Sequence, residues 1–528
     1  MFQKDPGLLV SEFPDGEEYT GAASGLPVSE EEPVRGEPES SYLWIMEGRT
    51  LTSFLCAVAA LLVGYLLYGS VVERCFGVDP ARKTPATELA DGVDFVPLSW
   101  PRIFLIQFLN IAGLGPIFGA VLGALYGPTA FIWIVFGCIF AGGVHDFFSG
   151  MMSARHQGRS IPEVVGIYLG PRVCQFMRLM SVVLLLLVGT VFMVGPAALL
   201  SNLGFSGVFA DKTFWLMVIL GYYFIATILP VDKLIARIYP LFAGALLFMA
   251  LGIAGMLIIN GLPIPEIGTP PDHPAGLSAW PLLCVTIACG AISGFHATQS
   301  PLMARCISSE TYGRRVFYGA MVAEGIVTLI WAAAAMAFFP GGISGLSAVL
   351  DQGGPSLVVN EIALGLMGSL GGMLAILGVV ACPITSGDTA FRSLRLIFAD
   401  IFEISQRSML NRLALAIPLF ITGYCLTLVD FSVIWRYFAF FNQALATIVL
   451  WTAAVYMVRQ ERNCWVALLP AGFMTAVCFT YLLMAPEGLG VSAAFAWPAG
   501  VFLALASVLL FLVRLVWKRT GNETFLAP

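Results

Sequence analysis

Apolar residues dominate this chain in long runs, and the polar residues gather between those runs instead of alternating with apolar ones. A helix needs roughly 20 apolar residues to cross the hydrocarbon core of a bilayer. The pattern therefore predicts an all-α polytopic membrane protein with about thirteen transmembrane helices. The predicted spans are 50–73, 101–126, 129–153, 176–200, 213–230, 239–260, 279–301, 315–339, 367–385, 410–429, 434–458, 464–484 and 490–516.

Composition and motifs narrow the class of protein further. Of the 528 residues, 58% are hydrophobic and only 11% are charged, whereas a soluble domain carries roughly 25% charged residues. The sequence contains no GxxxxGK[ST], HExxH or GxSxG motif. We therefore predict that it is not an enzyme, that ATP does not drive it directly, and that it needs no cofactor. Its expected partners are a small-molecule substrate and the lipid bilayer, with no nucleic acid; its oligomeric state is left open.

The distribution of charge predicts the orientation of the spans. Residues 1–49 hold eleven Asp or Glu against Lys4, Arg35 and Arg49, which predicts a disordered acidic tail. With the loop after the first span in the cytoplasm, 22 of the 27 Lys and Arg residues fall on the cytoplasmic side. This bias follows the positive-inside rule. We expect a multi-pass protein of the cell (inner) membrane with its N-terminus outside and its C-terminus in the cytoplasm.

Two of the predicted spans, 101–126 and 279–301, carry helix-breaking residues near their centres. Glycine and proline interrupt regular helical hydrogen bonding, and hydrocarbon tolerates such a break only where it lines a cavity or is buried in protein. We interpret the breaks and the polar residues beside them as substrate contacts, with close helix packing by glycine as the alternative. These residues are Asn110, Gly113, Gly115, Pro116, Ser293, His296, Thr298 and Gln299.

Because five spans separate the two broken helices, they are predicted to enter the membrane in opposite directions. This spacing predicts a 5+5 inverted repeat made of residues 101–260 and 279–458. Residues 50–73 would then form one extra N-terminal helix, and residues 464–516 two peripheral C-terminal helices. Paired interrupted helices in the two halves of a transporter point to its binding site. Their half-helix N-termini favour anions, and their unwound carbonyls can hold a cation.

Several ionisable residues lie within predicted spans, where such groups are costly and usually have a task or a partner. Neighbouring helix positions point to different faces, so we do not expect His145 and Asp146 to form a dyad, and we expect Asp146 to pair with Arg155 or Arg159. Glu324 lies among apolar residues, where desolvation disfavours a charged carboxylate. It is a candidate proton carrier, with a structural acid as the alternative. His145, Asp146 and Glu324 are therefore candidates for ion coupling. Among the predicted substrate contacts, His296 can change charge near neutral pH, with a structural histidine as the alternative.

Four stretches of sequence resemble the carbon starvation protein A (CstA) family over roughly residues 50–460. They are "RKTPATELADGVDFVPL" (82–98) with the following "NIAGLGPIFGAVLGALYG", "IFAGGVHDFFSGMMSARHQGRSIPEVV" (139–165), "VTIACGAISGFHATQSP" (285–301) and "FFNQALA" (440–446). The resemblance implies a LeuT-like fold of the amino acid–polyamine–cation superfamily. It also implies an ion-coupled symporter that imports pyruvate or short peptides. A nutrient sensor without net transport is the alternative function.

The same resemblance implies a second place where an ion could bind. Predicted span 367–385 would correspond to a core helix that supplies hydroxyl ligands in sodium-coupled relatives, and hydroxyls and carboxylates are ligands that a small hard cation prefers. A Na+ site is therefore possible at the carbonyl of Ala112 or Gly113, with Thr385, Ser386 and Asp388. An i,i+4 pair between Asp388 and Arg392 is the competing interpretation. We predict H+ as the coupling ion and Na+ as the alternative.

Overall fold

The architecture comes from a computed structural model, which describes residues 51–92, 94–228, 232–268, 273–406 and 408–519. The chain divides into the units Met1–Gly48 and Arg49–Pro528, and every described residue belongs to the second. The predicted acidic tail lies outside the described residues. Within the described ranges the chain is helical throughout, apart from loops and one isolated β-bridge between Leu98 and Ile307.

Sixteen helices carry the fold in the described part of the chain, leaving aside one-turn segments. The first eight are α1 (Thr52–Phe76), α2 (Trp100–Ile111), α3 (Gly115–Gly123), α4 (Thr129–Arg155), α5 (Ile161–Leu169), α6 (Pro171–Ser201), α7 (Lys212–Ile228) and α8 (Asp232–Ile259). The second eight are α9 (Ala279–Thr286), α10 (His296–Ala304), α11 (Glu310–Phe338), α12 (Ile343–Ile401), α13 (Met409–Leu426), α14 (Phe431–Arg459), α15 (Trp465–Met484) and α16 (Ala493–Arg519).

The number of spans differs from the thirteen predicted. Among the described residues ten helices are long and apolar enough to cross a membrane, or eleven if the bent pair α2–α3 counts as one span. Helix α7 is shorter than a full span, and α9 and α10 are separated by nine non-helical residues. Helix α12 includes the predicted span 367–385 and most of the segment 340–366, which lies between two predicted spans. It has breaks at Gly354 (φ 66°) and Gly368 (φ 69°). Hydropathy measures apolar length and is insensitive to such breaks.

The long helices fall into an inner and an outer group. Most of the apolar length of α4, α6, α11 and α14 is buried inside the protein. Little of the apolar length of α1, α13 and α16 is buried inside the protein, as expected of helices that face lipid. Helix α15 is largely buried because it packs between α14 and α16. The inner group surrounds the short broken helices and keeps their unpaired backbone groups away from lipid.

Candidate functional site

The first break lies between α2 and α3, whose axes differ in direction by 52°. Helix α2 ends at Ile111, and Pro116 stands in the first turn of α3, where a missing N–H costs no hydrogen bond. The thiol of Cys382 on α12 donates to the carbonyl of Ala112, with a sulfur–oxygen distance of 2.8 Å. The structure therefore places the helix interruption where Asn110, Gly113 and Pro116 predict it.

The second break separates α9 from α10, and α14 supplies the hydrogen bonds that a continuous helix would have made. The Asn442 side-chain oxygen accepts from Ser293 Oγ at 2.8 Å and from the N–H of Phe295 at 3.0 Å. The Asn442 carbonyl accepts from the N–H of Gly294 at 3.0 Å. One residue further along α14, Gln443 Nε2 donates to the carbonyl of Cys284 at 2.8 Å. The break is thus held by two neighbouring amide side chains.

The two breaks contact each other. A Cβ atom added to Gly115 would lie 2.4 Å from both Cβ and Sγ of Cys289, closer than real side chains approach. A Cβ atom on Gly113 would lie 2.5 Å from the ring of Phe192, and that ring packs 6.0 Å from the ring of Phe295 in the second break. Glycine at 113 and 115 therefore permits the close approach of the two interrupted helices.

A chain of four ionisable side chains lies beside the second break and is fully buried. Asp146 Oδ1 lies 2.8 Å from His145 Nδ1, and Asp146 Oδ2 lies 2.9 Å from His296 Nδ1. On its far side, His296 Nε2 lies 3.4 Å from Glu324 Oε2. All four side chains have no exposed surface. The chain connects α4, the first residue of α10 and the middle of α11.

The hydrogen-bonding capacity of this cluster is not used up. A carboxylate only accepts, so both histidines donate their Nδ1 protons to Asp146 and keep Nε2 as an acceptor when neutral. Within the described residues, the Nε2 atoms of His145 and His296 and both oxygens of Glu324 have no hydrogen-bond partner. Buried polar atoms without a partner in the protein are rare, and each of them calls for an explanation. A protonated Glu324 could donate a hydrogen bond to His296 Nε2, which lies 3.4 Å from its Oε2.

Two expectations about Asp146 prove wrong. His145 and Asp146 do form a dyad. Although they are adjacent in the helix, their side chains are long enough for His145 Nδ1 to reach Asp146 Oδ1. Among the described residues, the partners of Asp146 are the two histidines and not an arginine: Arg155 lies nine residues further along α4, or roughly 13 Å. The Arg155 guanidinium instead forms two hydrogen bonds of 2.9 Å to Glu310. It also donates to Tyr456 and to the carbonyl of Gly77.

Two of the predicted substrate contacts, Thr298 and Gln299, have partners close in the sequence. Thr298 donates to the Phe295 carbonyl, and the Gln299 amide donates to Thr298. Asn110 is buried on α2. One turn before it stands Gln107, which the sequence analysis missed: its Nε2 lies 3.5 Å from Ser300 Oγ, and its Oε1 has no partner among the described residues. A glutamine inside the apolar run "IQFLN" was the signal for it.

The predicted cation ligands are divided among other interactions. The Thr385 hydroxyl donates to carbonyls of its own helix, and Asp388 Oδ2 lies 3.1 Å from Arg392. The Ala112 carbonyl accepts the Cys382 thiol. Ser386 is buried, and its hydroxyl has no partner in the described part of the chain. No group of three or more His, Cys, Asp or Glu residues that could hold a metal occurs in the described ranges.

A cavity of about 840 Å³ opens beside the end of α6 and the start of α14. Phe118, Thr286 and Trp435 line it next to the breaks. The Phe118 and Trp435 rings are 6.2 Å apart, and a Cβ on Gly119 would lie 3.2 Å from the Thr286 carbonyl oxygen. Trp435 is buried, and its indole N–H has no acceptor among the described residues. Trp435 therefore brings an unpartnered hydrogen-bond donor to the wall of this cavity, which we call the vestibule.

The lining of the vestibule carries charges of both signs, on Lys212, Asp351, Asp430 and Arg436. Arg436 lies 3.3 Å from Glu487. The Ser432 hydroxyl and N–H donate to Asp430 and hold the pKa of that carboxyl below its ordinary value. A polar solute could therefore find both cationic and anionic groups there.

Similarity to known proteins agrees with this architecture. The Escherichia coli K12 peptide transporter CstA is 27% identical, over 85% of this chain and 83% of that protein. The pyruvate/proton symporter BtsT of the same strain is 30% identical over 58% of this chain, which spans about half of BtsT. A Haemophilus influenzae Rd protein described as an uncharacterized membrane protein is 44% identical, over 54% of this chain and 91% of that protein. The relatives with a named function are transporters and not enzymes.

Solved structures share the fold. A mutant of the Eremococcus coleocola manganese transporter superposes with a TM-score of 0.51 at 13% identity, covering 82% of this chain and 98% of that one. The family model described as "Carbon starvation protein CstA" matches residues 49–203, 193–352 and 341–481. Since these matches cover most of the sequence, the chain belongs to the carbon starvation protein CstA family.

Proposed function

We propose that this protein is a proton-coupled secondary transporter that imports a small carboxylate nutrient, such as pyruvate or a short peptide, across the inner membrane by alternating access. The observation that carries the proposal is the buried chain from His145 through Asp146 and His296 to Glu324, which lies directly beside two broken helices in contact. Relatives named as a peptide transporter and a pyruvate/proton symporter support the class of substrate and the ion.

In the proposed coupling step, a proton on a Glu324 oxygen passes to His296 Nε2. The O–H bond breaks, an N–H bond forms, and the resulting imidazolium stands between the Glu324 and Asp146 carboxylates. The Nδ1 proton stays on His296 and remains hydrogen-bonded to Asp146 Oδ2, 2.9 Å from Nδ1, so the Asp146 carboxylate compensates the new charge. Because His296 is the first residue of α10, a change in its charge acts directly on the second break.

The substrate in this proposal binds where the two breaks meet. The N-terminus of α3 at Gly115 and Pro116 favours an anionic group. Gln107 and Asn110 on α2 add side-chain amides, and the sequence-predicted residues Ser293, Thr298 and Gln299 support the opposite wall. We also propose that α2–α3 and α9–α10 are equivalent members of a LeuT-like inverted repeat, which their paired interruption and the transporter fold support.

Protons suit the site better than sodium. The Ala112 carbonyl already accepts the Cys382 thiol, so it has one lone pair left for a sodium ion, and the Thr385 hydroxyl is oriented towards carbonyls of its own helix. Glu324, by contrast, has unpartnered oxygens at the end of a histidine chain. We retain Na+ at Ala112, Thr385 and Ser386 as the competing hypothesis.

The two ends of α14 differ in a way that fits alternating access. Trp435, near the start of α14, lines the open vestibule, whereas Tyr456, near its end, hydrogen-bonds to Arg155 in the ion pair with Glu310. Trp435 and Tyr456 are 21 residues apart, or roughly 31 Å along the helix, which is about the thickness of the hydrocarbon core, so these features lie towards opposite faces of the membrane. With the N-terminus outside and the C-terminus in the cytoplasm, the vestibule faces outwards and the ion pair closes the cytoplasmic side.

Proteoliposomes test the proposal. Radiolabelled pyruvate and a labelled dipeptide are offered separately under an imposed inward proton gradient, an inward sodium gradient or no gradient. We expect accumulation above equilibrium with the proton gradient alone, and at least tenfold less in Glu324→Gln vesicles that still bind substrate. Accumulation driven by sodium alone would overturn proton coupling, and binding without accumulation under any gradient would favour a sensor.

A further inference from the structure

A groove of about 540 Å³ lies on the outside of the protein, far along α14 from the vestibule. It runs between the junction of α5 and α6, the last turns of α14 and the second half of α16. Its walls are mostly apolar and aromatic, with Val173, Phe176, Ile448, Trp451 and Phe511 among them. The proposed transport cycle makes no use of this groove.

The few polar groups along the walls are already satisfied. The Trp451 indole donates to Thr475 Oγ1 at 3.0 Å, and the Ser507 hydroxyl donates to the Leu503 carbonyl of its own helix. The Trp451 and Phe511 rings lie 5.7 Å apart and form a continuous aromatic surface. An occupant of this part of the groove therefore meets hydrocarbon and needs no hydrogen bonds.

One end of the groove is strongly basic. Arg459, the last residue of α14, and Arg514 on α16 both line it, and the described residues that line it include no Asp or Glu. Arg459 is held in place by the carbonyls of Ile167 and Tyr168, at 3.0 and 3.4 Å, and its guanidinium lies 5.1 Å from the centre of the Tyr168 ring. A guanidinium fixed in this way can bind phosphate oxygens with little loss of conformational freedom.

We propose that this groove binds an anionic phospholipid. The acyl chain lies along the Val173–Phe176 and Ile448–Phe511 walls, and the headgroup phosphate pairs with Arg459 and Arg514. The long apolar slot, the charge complementarity at one end and the position at the end of a membrane helix together favour a lipid over a soluble anion. Basic pockets between membrane helices hold anionic headgroups for the same electrostatic reason.

The test measures lipid retained by the purified, full-length protein. After delipidation in detergent, phosphatidylglycerol or phosphatidylcholine is added back, and native mass spectrometry counts the bound molecules. We expect selective retention of phosphatidylglycerol and roughly thirtyfold weaker binding in the Arg459→Gln/Arg514→Gln variant, from about 1 kcal/mol for each basic residue. Arg74→Gln, an exposed arginine at the end of α1, is the matched control and should bind as the wild type does.

A second variant separates groove occupancy from surface charge. Val173→Trp fills the apolar slot and keeps both arginines, so it should also lose bound phosphatidylglycerol. Equal retention of the two lipids, unchanged binding in the double arginine variant, or full binding in Val173→Trp would each overturn the proposal. Displacement by millimolar inorganic phosphate would assign the arginines to a soluble anion and would overturn it as well. Melting temperatures within a few degrees of the wild type establish that the variants are folded.

Discussion

Asp146 and His296 are 150 residues apart in the sequence, yet Asp146 Oδ2 lies 2.9 Å from His296 Nδ1 in a fully buried position. This hydrogen bond ties the long helix α4 to the first residue of α10. A buried bond between two ionisable groups depends on the protonation state of both. It therefore provides a physical link between proton binding and the position of a broken helix.

Replacement of His296 by glutamine should separate substrate binding from proton coupling. Glutamine can still hydrogen-bond to Asp146, but it cannot accept a proton from Glu324. We expect accumulation driven by a pH gradient to fall at least tenfold, with equilibrium exchange of labelled substrate retained. Uptake into proteoliposomes at several imposed pH gradients measures the first quantity, and counterflow measures the second.

His156→Gln is the matched control for this prediction. His156 lies just beyond α4. Among the described residues its ring bonds to the Met152 carbonyl and to Tyr168, and not to the proposed proton relay of His145, Asp146, His296 and Glu324. Its uptake should follow the pH gradient as in the wild type. If the His296 variant also keeps gradient-driven accumulation, His296 is a structural residue and the proposed relay is wrong.

Gly115 and Cys289 offer a test of the contact between the breaks. A methyl group at position 115 would lie 2.4 Å from Cys289, so Gly115→Ala must push the two segments apart. We expect this variant to lose most uptake and substrate binding. Removal of the opposing side chain in Gly115→Ala/Cys289→Gly makes room for the methyl group and should restore a substantial part of both.

Gly255 provides the matched control for this prediction. A Cβ on Gly255 of α8 would meet nothing within 4 Å, so Gly255→Ala adds the same methyl group without a clash and should transport normally. Uptake and equilibrium binding of the labelled substrate are the measurements. Wild-type affinity in the single Gly115→Ala variant would show that the close approach of the breaks is not needed for binding.

The sequence predicted the breaks well because their signals are local. Gly113, Gly115 and Pro116 alter the backbone wherever they stand, so interruption of the span follows from the residues themselves. The partner of a charged group, by contrast, depends on which helices pack together. Asp146 was assigned to an arginine nearby in the sequence, and its contact with the distant His296 could not be read from spacing.

Asn442 shows the same limit from the other side. Its position in an apolar span marks it as a residue with a task, but the sequence alone does not say whether it lines a pathway or joins helices. The structure shows it bonded to Ser293, Gly294 and Phe295, a choice made by the docking of α14 on the second break. The number of helices was also hard to predict. A hydropathy window measures apolar length only, so it reads α12, with its breaks at Gly354 and Gly368, as one span preceded by a loop.

Asn442→Ala should destabilise the protein more than other asparagine replacements. The change leaves a buried hydroxyl and a buried N–H without their acceptor, which costs about 2–4 kcal/mol in the free energy of unfolding. Asn411→Ala, which removes a solvent-exposed hydrogen bond to the Ser405 carbonyl, should cost less than about 1 kcal/mol. Equilibrium unfolding in mixed micelles compares the two. Equal losses would contradict a bracing role for Asn442.

The ion pair between Arg155 and Glu310 should contribute strongly to stability, because the two side chains are 9% and 2% exposed. Arg155→Gln leaves the buried Glu310 carboxylate with only the N–H of Asp79 and the half-exposed Arg82, whose Nε lies 3.8 Å away, and we expect a loss of about 3 kcal/mol in the free energy of unfolding. The pair between Arg314 and Glu73, 3.1 Å apart and roughly a quarter exposed, is the matched control. Exposed pairs contribute about 1 kcal/mol or less.

Double-mutant cycles on both pairs, measured by unfolding in mixed micelles, isolate the interaction from other effects of each replacement. We expect a coupling energy for Arg155 and Glu310 at least twice that for Arg314 and Glu73. Because Arg155 also hydrogen-bonds to Tyr456 on α14, the cycle must vary the carboxylate as well as the guanidinium. Equal coupling energies would mean that burial adds nothing to this contact, and the ion pair could then not serve as the closure of the cytoplasmic side.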